Sequence, residues 1–257
     1  MAGQSAKRGT IYKRKGEKMI FERSYTVGNR DVGNNNKATN KAMLKYLENI
    51  ACKHSDEVGY GINTIEQTGV VWILLDWKFN VIERPIYGQT IKVKTWSRKM
   101  EKCYAYRDFE VYDENENKIA KATTKWVLLD ANTRKILRIP ENFAVEYKQE
   151  TERHAFEEET DKLREPENEE VSIELKTRRT DIDINNHVNN LNYLDFAYEI
   201  LPEEVYNHEL KNVRITYKHQ TEPGETVNIS YTKQEGKNII TIKTIDKTQL
   251  HAIVELW

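Results

Sequence analysis

The chain has 257 residues, of which 38% are hydrophobic and 32% charged, so it can form one large domain or two ordinary ones with a buried core. Its 40 basic and 41 acidic residues balance, which argues against a nucleic-acid-binding protein. No apolar run reaches membrane-spanning length. Two cysteines without CxxC spacing, Cys52 and Cys103, predict free thiols in a reducing compartment, so we expect a cytoplasmic protein.

Residues 1–18 form a basic leader without the hydrophobic segment of a signal peptide. We expect a disordered tail, with an arm for an acidic partner as the alternative.

Residues 19–148 predict a first domain of one helix followed by antiparallel strands. Apolar residues recur at helical spacing between about 36 and 56, after asparagines that can cap a helix. In "VVWILLDWKFNV" apolar residues alternate from Val71 to Val81, which is typical of a strand with one buried side. Further strand patterns follow at "TIKVKTWSRK", "YAYRDFEVYD" and "IAKATTKWVLLD", separated by turn-like segments.

Residues 149–170 hold ten acidic and three basic residues with little apolar periodicity, so they predict a linker that is partly helical at most. The same plan then restarts in residues 171–257, with a strand, a helix that stops near Pro202, and four strand patterns. Strand, helix and several strands, twice over, predict an α+β chain of two tandem domains. In each, a sheet would wrap around a long central helix, and the two would pack as a pseudo-dimer.

An internal echo supports this duplication. The stretch "DVGNNNKATN", residues 31–40, recurs 150 positions later as "DIDINNHVNN", residues 181–190. The second copy has Asp183 where the first has Gly33, and His187 where the first has Lys37. Only the second copy holds the acid and the imidazole, which indicates that the C-terminal half carries the chemistry.

The second copy and the helix pattern after it resemble the active-site segment of acyl-[acyl-carrier-protein] thioesterases of plants and bacteria. That family's motif is Asp-x-Asn-x-His-Val-Asn-Asn, and it is matched in order by Asp183, Asn185, His187, Val188, Asn189 and Asn190. The resemblance covers about residues 19–257. It implies a double hotdog fold and hydrolysis of fatty acyl-acyl-carrier protein to free fatty acid, which ends fatty acid synthesis. It also implies an acyl pocket shaped by the N-terminal half.

Thioester hydrolysis needs an activated nucleophile, a group that stabilises the oxyanion and a proton for the departing thiol. If the motif is extended, Asp183, Asn185 and His187 share one face. We expect Asp183 to orient neighbouring groups and help to activate water, Asn185 to hold the carbonyl or the water, and His187 to act as general acid or base. Asn189 and Asn190, where we expect the next helix to begin, would bring its N–H groups to the substrate carbonyl.

The chain departs from the plant pattern in the strand after that helix. Plant members have a Glu-Cys pair there, and both residues have been given catalytic roles. Here the pair becomes Gln220 and Thr221, or Thr221 and Glu222 if the alignment moves by one residue. No cysteine can act there, and Gln220 can position water without taking its proton. The general base stays open between Asp183 and His187, with Glu222 as a third candidate, and a mixed anhydride through Asp183 is the alternative to attack by water.

Trp72 and Trp77 lie on a strand pattern, where they would pack in the core or line an acyl tunnel and bind substrate. The histidines show no metal-binding spacing, and no Gly-rich phosphate loop is present, so we expect neither a metal nor a nucleotide cofactor.

The expected partner is acyl-carrier protein bearing an acyl phosphopantetheine thioester. Because that carrier is acidic, it would suit the basic residues on either side of the motif, which are Lys176, Arg178, Arg179, Lys211, Arg214 and Lys218. We expect a monomer or homodimer, without nucleic-acid or membrane partners. The alternatives are an acyl-CoA thioesterase, a hotdog dehydratase, and a non-catalytic protein that binds acyl-carrier protein.

Overall fold

The computed structural model describes residues 20–158 and 161–257, so the leader predicted for residues 1–18 lies outside the described part. Within these ranges, ten strands form one antiparallel sheet. The N-terminal strands are β1 (Phe21–Thr26), β2 (Val70–Val81), β3 (Thr90–Glu101), β4 (Tyr104–Tyr112) and β5 (Lys118–Asp130). The C-terminal strands are β6 (Val171–Lys176), β7 (Asn212–Tyr217), β8 (Thr226–Gln234), β9 (Lys237–Thr244) and β10 (Leu250–Leu256).

The strand order shows the duplication directly. The sheet runs β1-β3-β4-β5-β2-β7-β10-β9-β8-β6, so each half has the same order when it is read from its outer edge to the centre. The halves join where β2 pairs with β7, from Asp76 opposite Thr216 to Asn80 opposite Asn212. The predicted pair of hotdog domains is confirmed, and the two share one continuous sheet.

The central helix of the N-terminal half is α1 (Asn40–Val58). It begins four residues later than predicted, because the preceding residues form a hairpin. The hydroxyl of Thr39 caps it by accepting a hydrogen bond from the Ala42 N–H at 3.1 Å. It ends at Gly59, whose φ of 89° is the left-handed conformation that glycine adopts without strain.

The corresponding helix of the C-terminal half is much shorter. Helix α4 (Asn192–Glu199) has eight residues, whereas α1 has nineteen. Pro202 accounts for this end, because proline has no N–H and disfavours helical geometry in the residue before it. The other α-helices of the described ranges are α2 (Ile65–Thr68), α3 (Glu141–Glu146) and α5 (Glu203–Tyr206). None of the helices among the described residues is both long and apolar enough to cross a membrane.

Strand β2 contains a bulge that its sequence pattern does not show. Its pairing with β5 shifts by one residue between Leu74 and Asp76, which reverses the alternation of the side chains. Trp77 and Phe79 are buried as predicted, but before the bulge the buried position is Leu74, not Leu75. The bulge therefore puts Trp72 and Leu74 on the same face as Trp77.

The segment predicted as a linker packs against the sheet. Its described residues, within 149–158 and 161–170, contain no helix. The N–H of Ala155 donates to the Asp108 carboxylate at 2.9 Å, and the Trp96 indole donates to the Arg153 carbonyl at 3.0 Å. Leu163 is 4% exposed and packs with Ile239 and Ile253 in a cluster separate from the main core. The link between the halves is therefore an ordered part of the fold.

Candidate active site

A cavity of about 380 Å³ lies between α1 of the N-terminal half and the motif of the C-terminal half. One face of α1 lines it through Glu48, Cys52 and Ser55, which recur at helical spacing. Aromatic residues of the N-terminal half line it as well, including Trp72, Trp126 and Tyr147. The motif contributes Asp183, Asn185, His187, Asn189 and Asn190, and the segment after β7 contributes Gln220.

The motif forms a tight hairpin. It is not the extended segment from which we expected Asp183, Asn185 and His187 to share one face. Asp183 donates its N–H to the His187 carbonyl at 2.8 Å, and Asn186 donates to the Asp183 carbonyl at 3.0 Å. Asn186 has a φ of 61°, a conformation that asparagine tolerates better than most residues. An isolated bridge joins Ile182 to Val188. The turn, and not strand alternation, brings Asp183, Asn185 and His187 to the cavity.

The first copy of the motif has the same hairpin without the chemistry. Gly33 donates its N–H to the Lys37 carbonyl at 2.9 Å, and Asn36 has a φ of 60°. Neither Gly33 nor Lys37 lines the cavity, and the Lys37 ammonium pairs with Glu209. The internal repeat is therefore real in three dimensions, and the cavity is lined by the C-terminal copy.

Asp183 and Asn185 hold each other in the turn. The Asn185 N–H donates to Asp183 Oδ1 at 2.8 Å, and its side-chain amide lies 3.4 Å from Oδ2. This Asx turn fixes the carboxylate at the cavity wall. It also occupies part of the carboxylate's capacity to accept protons or hydrogen bonds.

The His187 imidazole has one buried nitrogen and one that faces a carboxylate. Its Nε2 lies 3.6 Å from Glu222 Oε1, beyond normal hydrogen-bonding distance, while Nδ1 is buried with no partner among the described residues. The side chain is 21% exposed. The ring can therefore exchange protons with a bound substrate, but no described residue fixes its tautomer.

The asparagines after His187 organise the start of α4. Asn189 accepts the Leu191 N–H on its side-chain oxygen at 2.9 Å and the Asn192 N–H on its carbonyl at 2.9 Å. The Tyr217 hydroxyl donates to the Asn190 carbonyl at 2.9 Å. Helix α4 thus begins at Asn192 rather than near Asn189, and two of the N–H groups expected to face a substrate carbonyl already have partners.

The segment after β7 separates the candidates that the sequence left open. Gln220 is exposed and lines the cavity. Thr221 is fully buried, and its hydroxyl accepts a hydrogen bond from Tyr193 at 2.8 Å. The Glu222 side chain is 66% exposed and does not line the cavity. Of these three residues only Gln220 is placed to meet a substrate in the cavity.

The two tryptophans proposed to bind substrate lie in different places. Trp72 lines the cavity, and its indole donates to the Tyr147 hydroxyl at 3.0 Å. Trp77 is 1% exposed, packs on Phe109 with ring centroids 5.7 Å apart, and does not line the cavity. The expectation that Trp77 lines an acyl tunnel is therefore not met, because that side chain belongs to the core beneath α1.

Glu48 is a cavity residue that the sequence reasoning missed. Burial, and then the negative charge of Asp183, raise the pKa of Glu48 to about 7. The side chain is half-buried and faces the cavity. A charged residue on an amphipathic helix normally indicates the solvated face. The available signal was its spacing from Cys52 and Ser55, which places it on the inner side.

Beyond Glu48 along α1, the cavity wall contains a buried cation. Arg107 is 6% exposed and donates to His54 Nδ1 at 2.8 Å and to the Thr95 hydroxyl at 3.3 Å. His54 is fully buried, and burial followed by the Arg107 charge lowers its pKa well below the usual value. His54 is therefore neutral and accepts on Nδ1, which leaves the proton on Nε2.

Two further expectations concern charges and metals. From the sequence we expected Arg214 to help bind an acidic carrier protein. Arg214 is 9% exposed and donates to the carbonyl of Asp161 in the linker, so it is not part of an exposed carrier-binding surface. Lys218 lines the cavity. Within residues 20–158 and 161–257, no three His, Cys, Asp or Glu side chains are grouped to hold a metal ion.

The shared sheet, the central helix in each half and the motif hairpin at a cavity between them define a double hotdog protein. The model of the acyl-ACP thioesterase N-terminal domain matches residues 18–147, and that of the C-terminal domain matches residues 164–254. The chain belongs to the acyl-ACP thioesterase family.

Similar proteins agree with this assignment. The oleoyl-acyl carrier protein thioesterase 1 of Arabidopsis thaliana is 26% identical over 228 residues, which are 82% of this chain and 63% of that protein. The Coriandrum sativum oleoyl-acyl carrier protein thioesterase is 26% identical over 91% of this chain and 68% of its own length. The chain thus spans slightly less than two thirds of the Arabidopsis protein.

Solved structures show the same fold. An acyl-ACP thioesterase from Bacteroides thetaiotaomicron superposes with a TM-score of 0.82 at 22% identity, covering 92% of this chain and 96% of that one. A 12:0-ACP thioesterase from Umbellularia californica gives a TM-score of 0.81 at 20% identity, with coverage of 92% and 96%. Both span the two halves, so the tandem arrangement is shared.

Proposed function

We propose that this protein is an acyl-ACP thioesterase, which hydrolyses fatty acyl-acyl-carrier protein to free fatty acid and the carrier and so ends fatty acid synthesis. The observation that carries the proposal is the cavity itself, which combines the motif with an apolar wall. Along α1 it runs from Glu48, beside the motif, to Ser55, which accepts a hydrogen bond from Tyr147 at 3.1 Å. Seven helical residues cover about 10 Å, enough for part of an extended acyl chain.

The residues of the motif supply polar groups for a thioester at one end of this path. The Asn185 amide would donate to the substrate carbonyl, and the Gln220 amide would position the attacking water. His187 would donate a proton to the departing sulfur, because an imidazole at the cavity can serve as a general acid. Asn189 and Asn190, which line the cavity just before α4, would contact the same end of the substrate.

The carrier is part of the proposal. Acyl-carrier protein is favoured over coenzyme A because the curated relatives are named as acyl carrier protein thioesterases and because the chain matches both family domains. Lys218 at the cavity would attract an acidic carrier. The cytoplasmic location and the monomeric or homodimeric state stay predictions, and light scattering on the purified protein checks the second.

Free-thiol release tests the proposal, with a series of acyl chains on acyl-carrier protein and the same chains on coenzyme A. We expect turnover that peaks at one chain length and is faster on the carrier protein. His187→Ala and Asp183→Ala should each lower kcat at least about 100-fold. His208→Ala removes an exposed histidine outside the cavity and serves as the matched control.

Each other outcome identifies an alternative. Turnover that is faster on coenzyme A would indicate an acyl-CoA thioesterase. Tight binding of acyl-carrier protein without thiol release would indicate a non-catalytic binding protein. Reversible hydration of an enoyl chain without thiol release would indicate a dehydratase.

A further inference from the structure

We propose that Glu48, contributed by the N-terminal half, is the general base that activates water for thioester hydrolysis in this chain. The inference rests on the proposed thioesterase function. Glu48 would be the proton acceptor, a role that the Gln220 amide cannot fill.

The position of Glu48 is the first argument. It lies on the cavity-facing stripe of α1, and its carboxyl is near enough to Asp183 of the motif for that charge to raise its pKa. Cys52 and Ser55 continue the stripe toward Tyr147. Glu48 therefore lies where the acyl path meets the motif, which is where the thioester must lie if the chain follows α1.

The Glu48 carboxyl is also free to bind a ligand. It makes no hydrogen bond or ion pair with another residue in the described ranges 20–158 and 161–257. By contrast, the carboxylate of its neighbour Asp183 accepts a hydrogen bond from the Asn185 N–H. A half-buried carboxyl without a partner is costly to keep in its charged form. A substrate or water in the cavity would give it the missing partner.

The protonation behaviour suits a base at working pH. Burial and the Asp183 charge raise the pKa of Glu48 to about 7, close to the value at which a general base is most effective near neutral pH. The other titratable groups at this part of the cavity are Asp183, His187, Tyr193, Tyr217, Lys218 and His219. Cys52 follows on the same helix, and Arg107 lies beyond it.

The internal repeat gives a third argument. At the offset of 150 residues, Glu48 corresponds to Tyr198 on α4. The Tyr198 hydroxyl accepts a hydrogen bond from Asn40 at 2.9 Å, and Tyr198 does not line the cavity. The N-terminal copy of the motif, which lacks the acid and the imidazole, thus contacts a tyrosine on α4. The C-terminal copy, which has both, lies near the free carboxyl of Glu48 on α1.

The proposed step balances in protons and electrons. The Glu48 carboxylate takes one proton from water, and the hydroxide oxygen bonds to the thioester carbonyl carbon while the C=O pair moves to oxygen. The oxyanion then collapses and the C–S bond breaks. Sulfur takes a proton directly from the Glu48 carboxylic acid, or from protonated His187, which the Glu48 carboxylic acid then reprotonates. The net reaction consumes one water and yields a carboxylic acid and a thiol.

The test compares the intact chain with Glu48→Gln and Glu48→Asp, using Glu57→Gln as the control. Glu57 is on the same helix, where it pairs with Arg23 at the surface 3.5 Å away. We expect Glu48→Gln to lower kcat at least about 100-fold with KM within about threefold, and Glu57→Gln to be unaffected. In the wild type, kcat/KM should fall as pH drops through an apparent pKa near 7. Glu48→Asp should retain this acid limb, and Glu48→Gln should lose it.

Thermal unfolding separates catalysis from structure. Because Glu48→Gln removes a half-buried charge, its unfolding temperature should equal or exceed the wild-type value at pH 8. A lower value there would make Glu48 a structural residue and overturn the inference. Wild-type turnover that Glu48→Gln leaves intact, or an acid limb that it retains, would overturn the inference alone. A wild type without turnover on any acyl carrier would overturn the proposed function and this inference with it.

Discussion

Two hydrogen bonds join Tyr193 to Thr221: the tyrosine hydroxyl donates to the threonine hydroxyl at 2.8 Å and accepts from the threonine N–H at 3.1 Å. Both side chains are buried, and burial raises the pKa of Tyr193 to about 12, so the phenol stays protonated at neutral pH. The Thr221 hydroxyl and N–H thus join α4 to the segment after β7.

We therefore predict that Thr221→Val lowers stability without abolishing catalysis. It leaves the buried Tyr193 hydroxyl without its acceptor, which should cost about 1–3 kcal/mol in the free energy of unfolding. Thr221→Ser keeps the hydroxyl and should lose about 1 kcal/mol or less. Denaturant unfolding and thiol release measure the two effects. A kcat that collapses in Thr221→Val at unchanged stability would instead make Thr221 the nucleophile.

The buried pair of His54 and Arg107 predicts a pH-dependent contribution to stability. The pKa of His54 is lowered well below its unfolded value of about 6.5, so the unfolded chain binds more protons below that pH. The contribution of His54 is fully present above about pH 6.5. It is lost as pH falls toward the folded pKa, by up to about 1.4 kcal/mol per pH unit.

The measurement is the difference in unfolding free energy between wild type and His54→Gln at several pH values. Glu48 acts in the opposite direction: its raised pKa makes its contribution largest below about pH 4.5 and removes it as pH rises through about 7. Both proteins contain Glu48, so its effect cancels when their unfolding free energies are subtracted. The remaining difference should be largest at pH 7.5 and shrink toward pH 5.5. The exposed His208→Gln should show no such change, and a pH-independent difference for His54→Gln would mean that folding does not shift the pKa of His54.

Much of the fold follows from local periodicity. The spacing of Met43, Leu44, Leu47 and Ile50 predicts α1, and the echo of residues 31–40 in 181–190 predicts the duplication, although not the hairpin that each copy forms. The bulge between Leu74 and Asp76 was not predictable, because it depends on the pairing of β2 with β5 and leaves an unbroken apolar pattern. It changes which of the apolar residues of β2 are buried, since Leu74 and not Leu75 is buried.

The site was predictable only where its residues are contiguous. Asp183, Asn185 and His187 form one motif, and the structure brings them together at the cavity. Glu48 lies 135 positions earlier, on a helix where an isolated acidic residue usually indicates a solvent-facing side. Its place beside Asp183 depends on how the two halves pack, which local periodicity does not encode.

Trp72 and Trp77 provide a matched pair for testing the acyl path. Trp72→Ala should enlarge the cavity and move the preferred acyl chain to greater length, because the indole forms part of the wall. Trp77→Phe changes the core beneath α1 and should lower stability by roughly 1–3 kcal/mol without changing that preference. Thiol release across a series of acyl chains measures the preference. A shift caused by Trp77→Phe but not by Trp72→Ala would place the acyl path elsewhere.

Leu163 predicts that the segment joining the halves stabilises the fold. The side chain is buried against Ile239 and Ile253 on the C-terminal half. Leu163→Ala should therefore lower the free energy of unfolding by about 2–4 kcal/mol, since it removes a buried side chain and leaves a cavity. Denaturant unfolding measures this, and Glu167→Ala, an exposed residue of the same segment, is the control. If the two variants were equally stable, the segment would be a passive tether. If only Leu163→Ala lowers the free energy of unfolding, one buried apolar side chain holds this acidic segment against the sheet. The acidic composition predicts a linker because it does not reveal that single buried contact.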